Sequence, residues 1–261
     1  MLARESDFLD VQGHRIEYCL IPAATRDAPL IVFLHEGLGS VAMWRDFPER
    51  CAQASGCRGL VYSRFGYGKS DALVGPRAAA FMHDEALKSL PELLDRLGID
   101  RPVLFGHSDG ASIALIHAGG SGRRLRGVVA MAPHVMVEEK GIRAIEATKR
   151  RYESADLRMK LARYHADPDS AFWGWNNIWL NRDFRSWNIE AYLPKIHCPV
   201  LLIQGEDDEY GTMDQIERIE SAVPGVETLK LKDCGHSPHR DQPEAVIKTV
   251  VRFVERSGQA T

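Results

Sequence analysis

Residues 106–110 read Gly-His-Ser-Asp-Gly and place a serine between two glycines, each two positions away. They follow the short apolar run 103–105 (VLF) and precede residues 111–118, where several small residues occur. A serine on a sharp turn from strand to helix has a strained backbone, and glycines let the two elements approach closely. The turn exposes the hydroxyl, and the N–H groups at the start of the helix face a developing oxyanion. This context favours Ser108 as a nucleophile over an idle serine in a glycine-rich turn.

A serine hydroxyl is a weak nucleophile until a base removes its proton, and an acid must orient that base. Two later segments supply both groups. The apolar run 200–203 (VLLI) leads into Gly-Glu-Asp-Asp-Glu at 205–209, and the run 226–231 (VETLKL) leads into Asp-Cys-Gly-His at 233–236. Ser108, Asp208 and His236 therefore follow one another in the order serine, acid, histidine.

The sequence resembles the α/β-hydrolase superfamily from the strand before His35 to the final helix. In that family a His-Gly-x loop after the third strand supplies one oxyanion N–H group, and the matching residues here are 35–40 (HEGLGS). The acid usually lies three residues after the glycine that closes its strand, which selects Asp208 over Asp207. Residues 64–70 (RFGYGKS) also resemble the family's loop after the fourth strand.

The resemblance implies a hydrolytic triad of Ser108, Asp208 and His236, with the oxyanion held by the backbone N–H groups of Gly37 and Asp109. It implies neither a cofactor nor a metal ion.

Glu36 departs from the family pattern, because glycine commonly stands at this position. A carboxylate beside the oxyanion hole opposes the developing negative charge unless it is turned away or paired. Buried carboxylates usually have partners, so we expect Glu36 to be hydrogen-bonded under its loop. The alternative is that Glu36 faces the substrate pocket.

The elements that must position these residues follow from the apolar pattern. Residues 8–20 alternate around Gly13, which is typical of a hairpin at a sheet edge. Short continuous apolar runs predict strands buried on both faces, at 30–34, 59–62, 103–105, 128–131 and 200–203. Segments of helical period alternate with them, at 44–54, 78–97, 111–118, 215–222 and 243–255. The predicted fold class is α/β, with a mostly parallel sheet covered by helices on both sides.

The alternation stops between residues 133 and 194, where no strand-like run occurs. A charged stretch of helical character is followed there by an aromatic stretch that holds four of the five tryptophans. We expect a helical cap at 133–194 over the carboxyl ends of the strands, inserted into a core formed by 1–132 and 195–261. Its aromatic residues either pack the cap onto the core or line an apolar pocket above Ser108. The pocket candidates are Trp173, Trp175, Asn176, Trp179 and, after the acid, Tyr210.

Composition excludes several classes of function. The formal net charge of −3 carries no polyanion-binding excess, so we expect no nucleic-acid partner. No apolar run approaches the roughly 18 residues of a membrane helix, and the N-terminus lacks a signal-peptide pattern. Five scattered cysteines fit neither a disulfide framework nor a thiolate metal site, which favours reduced thiols and a cytoplasmic location.

The sequence favours a serine hydrolase that cleaves a small apolar or aromatic ester through an acyl-enzyme. The same triad and cap also suit hydrolysis of a carbon–carbon bond in a vinylogous diketone. A third alternative is a receptor that keeps the fold and uses the pocket only to bind a ligand. The oligomeric state stays open.

Overall fold

A computed structural model describes residues 6–154 and 156–257. Its centre is a sheet of eight strands in the order β1-β2-β4-β3-β5-β6-β7-β8. The strands β1 and β2 form an antiparallel hairpin at one edge, and β2 pairs antiparallel with β4. From β4 onward all neighbours are parallel. The strands are Asp7–Val11, His14–Ile21, Leu30–Leu34, Arg58–Tyr62, Val103–His107, Gly127–Met131, Val200–Gly205 and Glu227–Leu231.

Helices cover both faces of this sheet, which confirms the predicted fold class. In β3, Ile31 and Phe33 join one apolar cluster, whereas Val32 joins the other, because successive side chains of a strand point to opposite faces. The helices are α1 Phe47–Ser55, α2 Phe81–Asp84, α3 Leu90–Arg96, α4 Asp109–Gly120, α5 Glu139–Glu153, α6 Asp156–Leu161, α7 Pro168–Trp179, α8 Asp214–Ala222, α9 Pro238–Asp241 and α10 Pro243–Ser257. The pair α1 and α10 packs on one face, and α4 packs against β5 and β6 on the other.

Two observed helices differ from those that the apolar pattern predicts. The helix predicted from Trp44 starts instead at Phe47, because Pro48 suits the first turn of a helix and Trp44 ends a short 3₁₀ turn. The helix predicted over 78–97 is a helical run from Phe81 to Arg96 with a π-helical turn at Glu85–Ser89. Pro91, just after that turn, has no N–H to continue regular α-helical bonding.

The predicted cap segment, residues 133–194, contains α5, α6, α7 and a 3₁₀ turn at Arg182–Ser186, and a second 3₁₀ turn at Glu190–Lys195 crosses its end. Among its described residues, strand pairing is limited to one isolated bridge between Met136 and Asn188. The turn Glu190–Lys195 packs against α4, so the end of the segment touches the helix that follows Ser108. Within the described ranges, no helix is both long enough and apolar enough to cross a membrane.

Gly119 provides a test of this packing. A Cβ at this position would lie 2.2 Å from the carbonyl oxygen of Tyr192, in the turn that packs on α4. Alanine favours the helix by about 1 kcal/mol, but overpacking against main chain outweighs this gain. We expect Gly119→Ala to lower the free energy of unfolding by about 2 kcal/mol in urea titrations.

Gly211 is the matched control for that experiment. Its Cβ would meet its nearest neighbour, His134, at the ordinary contact distance of 3.5 Å. Gly211→Ala should therefore change the free energy of unfolding by less than about 0.5 kcal/mol. Equal stability of Gly119→Ala and the parent protein would contradict the close packing of α4 against the turn.

Candidate active site

The turn between β5 and α4 has the strained geometry that the glycine spacing predicts. Ser108 has a φ of 55°, in the left-handed region that side-chain-bearing residues rarely adopt. A Cβ on Gly106 would lie 2.2 Å from the carbonyl oxygen of Gly110, and a Cβ on Gly110 would lie 2.1 Å from that of Leu34. Only glycines fit where β3, β5 and α4 meet, and this close approach holds Ser108 in its strained conformation.

Three side chains from separate loops form one hydrogen-bonded chain. The hydroxyl oxygen of Ser108 lies 2.9 Å from His236 Nε2, and His236 Nδ1 lies 2.8 Å from an oxygen of Asp208. Ser108 follows β5, Asp208 follows β7 and His236 follows β8. The carboxyl ends of parallel strands meet at one edge of a sheet, which brings together residues that are 128 positions apart in the chain.

Asp208 is the most deeply buried member of the hydrogen-bonded chain, whereas its neighbour Asp207 is exposed. The carboxylate of Asp208 accepts hydrogen bonds from the backbone N–H of Tyr210 and from the Gln204 side chain, each at 2.8 Å. Burial alone raises the pKa of Asp208, but the charge and hydrogen bond of His236, with the Tyr210 N–H, hold that pKa well below its usual range. Asp208 is therefore a carboxylate that orients the imidazole.

His236 is surrounded by acidic groups. Burial lowers the pKa of His236, but the carboxylate of Asp208, followed by Glu209 and Glu36, raises it above the ordinary value of 6.5. Glu209 also accepts a hydrogen bond from the backbone N–H of His236 at 3.2 Å. The arrangement favours the imidazolium that forms when a serine proton is transferred to His236.

The two predicted oxyanion donors lie in different loops. The N–H of Asp109 opens α4, and Gly37 lies in the loop after β3; both line the cavity that contains Ser108. Gly37 lies directly beneath α7, since a Cβ there would be 2.2 Å from the indole nitrogen of Trp175. The predicted cap thus covers one of the two proposed donors.

The side chain of Asp109 points away from solvent and is almost completely buried. Burial raises the pKa of this carboxyl, and the Arg64 guanidinium, 3.9 Å away, opposes that rise. Arg64 also donates to the carbonyl oxygen of His35 at 2.6 Å and to that of Glu36 at 3.1 Å. A single buried guanidinium thus fixes the loop after β3 and the start of α4.

Glu36 is paired, as one of the two sequence interpretations expects, but it also reaches the cavity wall. One carboxylate oxygen accepts from Arg240 at 3.2 Å, and the other lies 3.5 Å from His107 Nδ1. Burial raises the pKa of Glu36, but the hydrogen bond and charge of His107 and the charge of Arg240 hold it well below its usual range. The Arg240 guanidinium therefore balances the negative charge beside the proposed oxyanion hole.

A cavity of about 210 Å³ lies above Ser108, between the strand ends and the predicted cap. Four of the predicted pocket residues line it: Glu36, Trp175, Trp179 and Tyr210. The ring of Tyr210 lies 4.7 Å from that of His236, and its hydroxyl is 3.0 Å from Thr148 of α5. The cavity therefore has an aromatic wall made by α7 and the loop after β7.

Trp173 and Asn176 do not line this cavity, so the structure corrects both assignments. Trp173 packs against Phe172 and Tyr152, and Asn176 donates to the carbonyl oxygen of Ile145 at 3.3 Å. Trp175 and Trp179 are four residues apart and share one face of α7, whereas Trp173 is two positions from Trp175 and lies on another face. Asn176 is instead directed at α5.

Several polar residues of the cavity wall were missed by the sequence interpretation, among them His134 and Glu209. Burial, together with the nearby charge of His236, lowers the pKa of His134 to about 4, so its imidazole is neutral. Both residues follow parallel strands, His134 after β6 and Glu209 after β7. Their position at the carboxyl ends of strands was the available signal.

The chain belongs to the alpha/beta hydrolase family, whose family model matches residues 31–249. A 2-hydroxy-6-oxononadienedioate/2-hydroxy-6-oxononatrienedioate hydrolase from Pseudomonas putida is 24% identical over 264 residues, covering 87% of this chain and 88% of that protein. A carboxylesterase from Bacillus subtilis is 26% identical over 253 residues, covering 90% and 83%. The structure of an enol-lactonase from Burkholderia xenovorans LB400 is similar with a TM-score of 0.77 at 20% identity, covering 95% of this chain and 100% of that one.

The acidic surroundings of His236 predict a pH profile. Only neutral imidazole accepts a proton, so kcat/KM for an ester should fall as the pH drops through the pKa of His236, with a midpoint above 6.5. Glu209→Gln removes a carboxylate that raises this pKa, so the midpoint should move to lower pH. Glu217→Gln, on the exposed side of α8, is the matched control and should leave the midpoint in place. An unmoved midpoint in Glu209→Gln would contradict this assignment.

Proposed function

We propose that the protein is a serine hydrolase that cleaves a small, uncharged carboxylic ester with apolar or aromatic groups. The observation that carries the proposal is the hydrogen-bonded chain Ser108–His236–Asp208 beneath the aromatic cavity. These hydrogen bonds link nucleophile, base and acid in the order that nucleophilic catalysis by serine requires. This arrangement needs neither a metal ion nor a cofactor for either half of the reaction.

In the first half-reaction, Ser108 Oγ attacks the ester carbonyl while His236 Nε2 takes the hydroxyl proton. The carbonyl oxygen becomes an oxyanion, which the N–H groups of Gly37 and Asp109 stabilise by hydrogen bonds. His236 then gives its proton to the leaving alcohol oxygen as the carbon–oxygen bond breaks. Asp208 stays ionised throughout and stabilises the imidazolium.

In the second half-reaction, water replaces the alcohol. His236 takes a proton from the water, the hydroxide attacks the acyl carbon, and the proton returns to Ser108 Oγ as the acid leaves. The mechanism therefore consumes one ester and one water and regenerates the free serine.

The lining of the cavity supports an uncharged substrate. Trp175, Trp179 and Ile145 provide apolar surface, and acidic side chains are contributed by Glu36, Glu138 and Glu209. Among the described residues that line it, none is lysine or arginine. A substrate carboxylate placed there would meet like charges, which cost several kcal/mol when desolvated.

Hydrolysis of a carbon–carbon bond in a vinylogous diketone is the second candidate. The relative from Pseudomonas putida supports it, since its name describes a substrate with two carboxylates. The acidic lining favours the ester instead. The test compares steady-state kcat/KM for an aryl acetate and for an uncharged vinylogous diketone. Because both substrates are uncharged, a difference between them reports which bond is cleaved and not an effect of substrate charge.

Loss of the nucleophile tests the proposal directly. Ser108→Ala should lower kcat/KM for an aryl acetate by at least about a thousandfold, because a triad member contributes orders of magnitude. Ser121→Ala, on a turn after α4, is the matched control and should keep the parent rate. Activity of Ser108→Ala within about tenfold of the parent would contradict the mechanism.

Covalent labelling separates an enzyme from a receptor that only binds ligands. A fluorophosphonate should modify the parent protein at Ser108 and leave Ser108→Ala unmodified, as peptide mass spectrometry would show. Unlabelled, folded parent protein would favour the receptor.

The charge of the acyl group provides a further test. We expect an aryl butyrate to have a kcat/KM at least about tenfold higher than the aryl monoester of succinic acid, which has a similar length but carries a carboxylate. Glu209→Gln should narrow this ratio, since it removes one opposing charge. A succinate ester that reacts as fast as the butyrate would overturn the proposed charge preference.

A further inference from the structure

Basic side chains gather at the edge of the sheet that lies opposite the active site. Five of them come from the segments that lead into β5, β6 and β7: Arg101, Arg123, Arg124, Lys195 and His197. These three strands are neighbours in the sheet, so the segments before them meet at one edge. Because β5 has five residues, each rising about 3.3 Å, this edge lies roughly 15 Å from the edge that carries Ser108.

The five basic side chains line a single cavity of about 630 Å³. The rest of its wall is uncharged and comes partly from the end of α4, at Ala118 and Gly119, and partly from Leu125, Cys198 and Pro199. Among the described residues of this wall, none is aspartate or glutamate. The formal net charge of the chain is −3, so the fold creates a local excess of positive charge here. Cavities of about 300–1,000 Å³ commonly bind small molecules.

Contacts within the protein leave part of this positive charge unbalanced. Arg123 pairs with Asp95 at 2.7 Å. Arg124 and Lys195 are exposed, and within residues 6–154 and 156–257 no carboxylate forms an ion pair with either. The C-terminus of α4, at Gly120, carries about half an elementary negative charge, which is less than the charge of one lysine or arginine. The end of the helix therefore does not account for the cluster.

We propose that this cavity is a second ligand site, which binds a small molecule through a phosphate or diphosphate group. Guanidinium groups match phosphate oxygens with paired N–H donors, and a lysine adds a compact positive charge. The uncharged part of the wall, which includes Leu125 and Pro199, contacts the remainder of the molecule. The site goes beyond the proposed ester hydrolysis, since it shares no lining residue with the cavity above Ser108.

A phosphate group can belong to a free molecule or to a lipid headgroup, and the cavity favours the free molecule. Binding to a membrane surface combines cationic groups with apolar side chains that enter the lipid. In the part of the chain that the structure describes, the large exposed apolar side chains are Leu20, Val74 and Met159, and none of them lines this cavity.

Titration calorimetry with inorganic pyrophosphate at constant ionic strength tests the site. The parent protein should bind one pyrophosphate. Arg124→Gln and Lys195→Gln should each raise the Kd about tenfold, because each removes a charge-assisted hydrogen bond. Lys232→Gln, directly after β8 at the opposite edge of the sheet, is the matched control, since it changes the net charge equally and should leave the Kd in place. Absence of binding to the parent protein, or equal weakening in Lys232→Gln, would overturn the proposal.

Cys198 is an independent reporter of the position of the ligand. It lines the cavity and is half-buried, whereas the other four cysteines are buried. Burial raises the pKa of the Cys198 thiol to about 11, so alkylation by iodoacetamide is slow enough to follow by peptide mass spectrometry. Saturating pyrophosphate should slow this alkylation at least about threefold, because it covers the thiol and its charge disfavours the thiolate. An unchanged rate would contradict binding in this cavity.

Vesicles distinguish the two sources of phosphate. Vesicles of phosphatidylcholine and phosphatidylglycerol should not sediment the protein at an ionic strength at which pyrophosphate binds. Sedimentation with these vesicles, without binding of pyrophosphate, would overturn the assignment to a free ligand.

The second site and the proposed function fail independently. Arg124→Gln should lose affinity for pyrophosphate and keep the parent kcat/KM for an aryl acetate, whereas Ser108→Ala should lose the activity and keep the affinity. An inactive parent protein that binds pyrophosphate would refute the hydrolase alone. Loss of pyrophosphate binding in Ser108→Ala would place the anion in the catalytic cavity and overturn the second site.

Discussion

The close approach of β3, β5 and α4 is the constraint on which the rest of the site depends. Gly110 lies against the main chain of β3 with no room for a Cβ, and Gly106 lies equally close to Gly110. Ser108, between them, is held in a left-handed conformation that its own preferences disfavour. The strain is sustained by the buried packing around it, and it directs the hydroxyl toward His236 at the edge where the parallel strands end.

The predicted cap is joined to this constraint through a second glycine. Trp175 occupies the space that a side chain at residue 37 would need, so α7 lies directly on the loop after β3. One helix therefore supplies the aromatic wall of the cavity and covers a proposed oxyanion donor. In the proposed mechanism this contact couples substrate selection to transition-state stabilisation, because a shift of α7 would move both the aromatic wall and the cover over Gly37.

Charged side chains surround the hydrogen-bonded chain of Ser108, His236 and Asp208. The carboxylates of Asp208, Glu209 and Glu36 all raise the pKa of His236, while Arg64 and Arg240 hold the loops that carry acidic groups near Ser108. Cationic side chains lie behind the acidic ones and not among the described residues of the cavity wall. The field in the cavity therefore stabilises positive charge on the base and opposes anionic ligands.

Local patterns in the sequence determined the strands and the turn at Ser108, and they placed the candidate acid and His236 a few residues beyond later strands, whose ends meet at one edge. The family resemblance then selected Asp208 over Asp207. The sequence also located the aromatic segment. Only tertiary structure decided which of its residues face the cavity: Trp175 and Trp179 do, whereas Trp173 and Asn176 do not. Which side of a helix faces the cavity depends on what the helix packs against. The spacing of residues along the chain carries no information about those packing partners. The partners of Glu36 come from residues 107 and 240, so the balance of its charge was likewise decided by the fold.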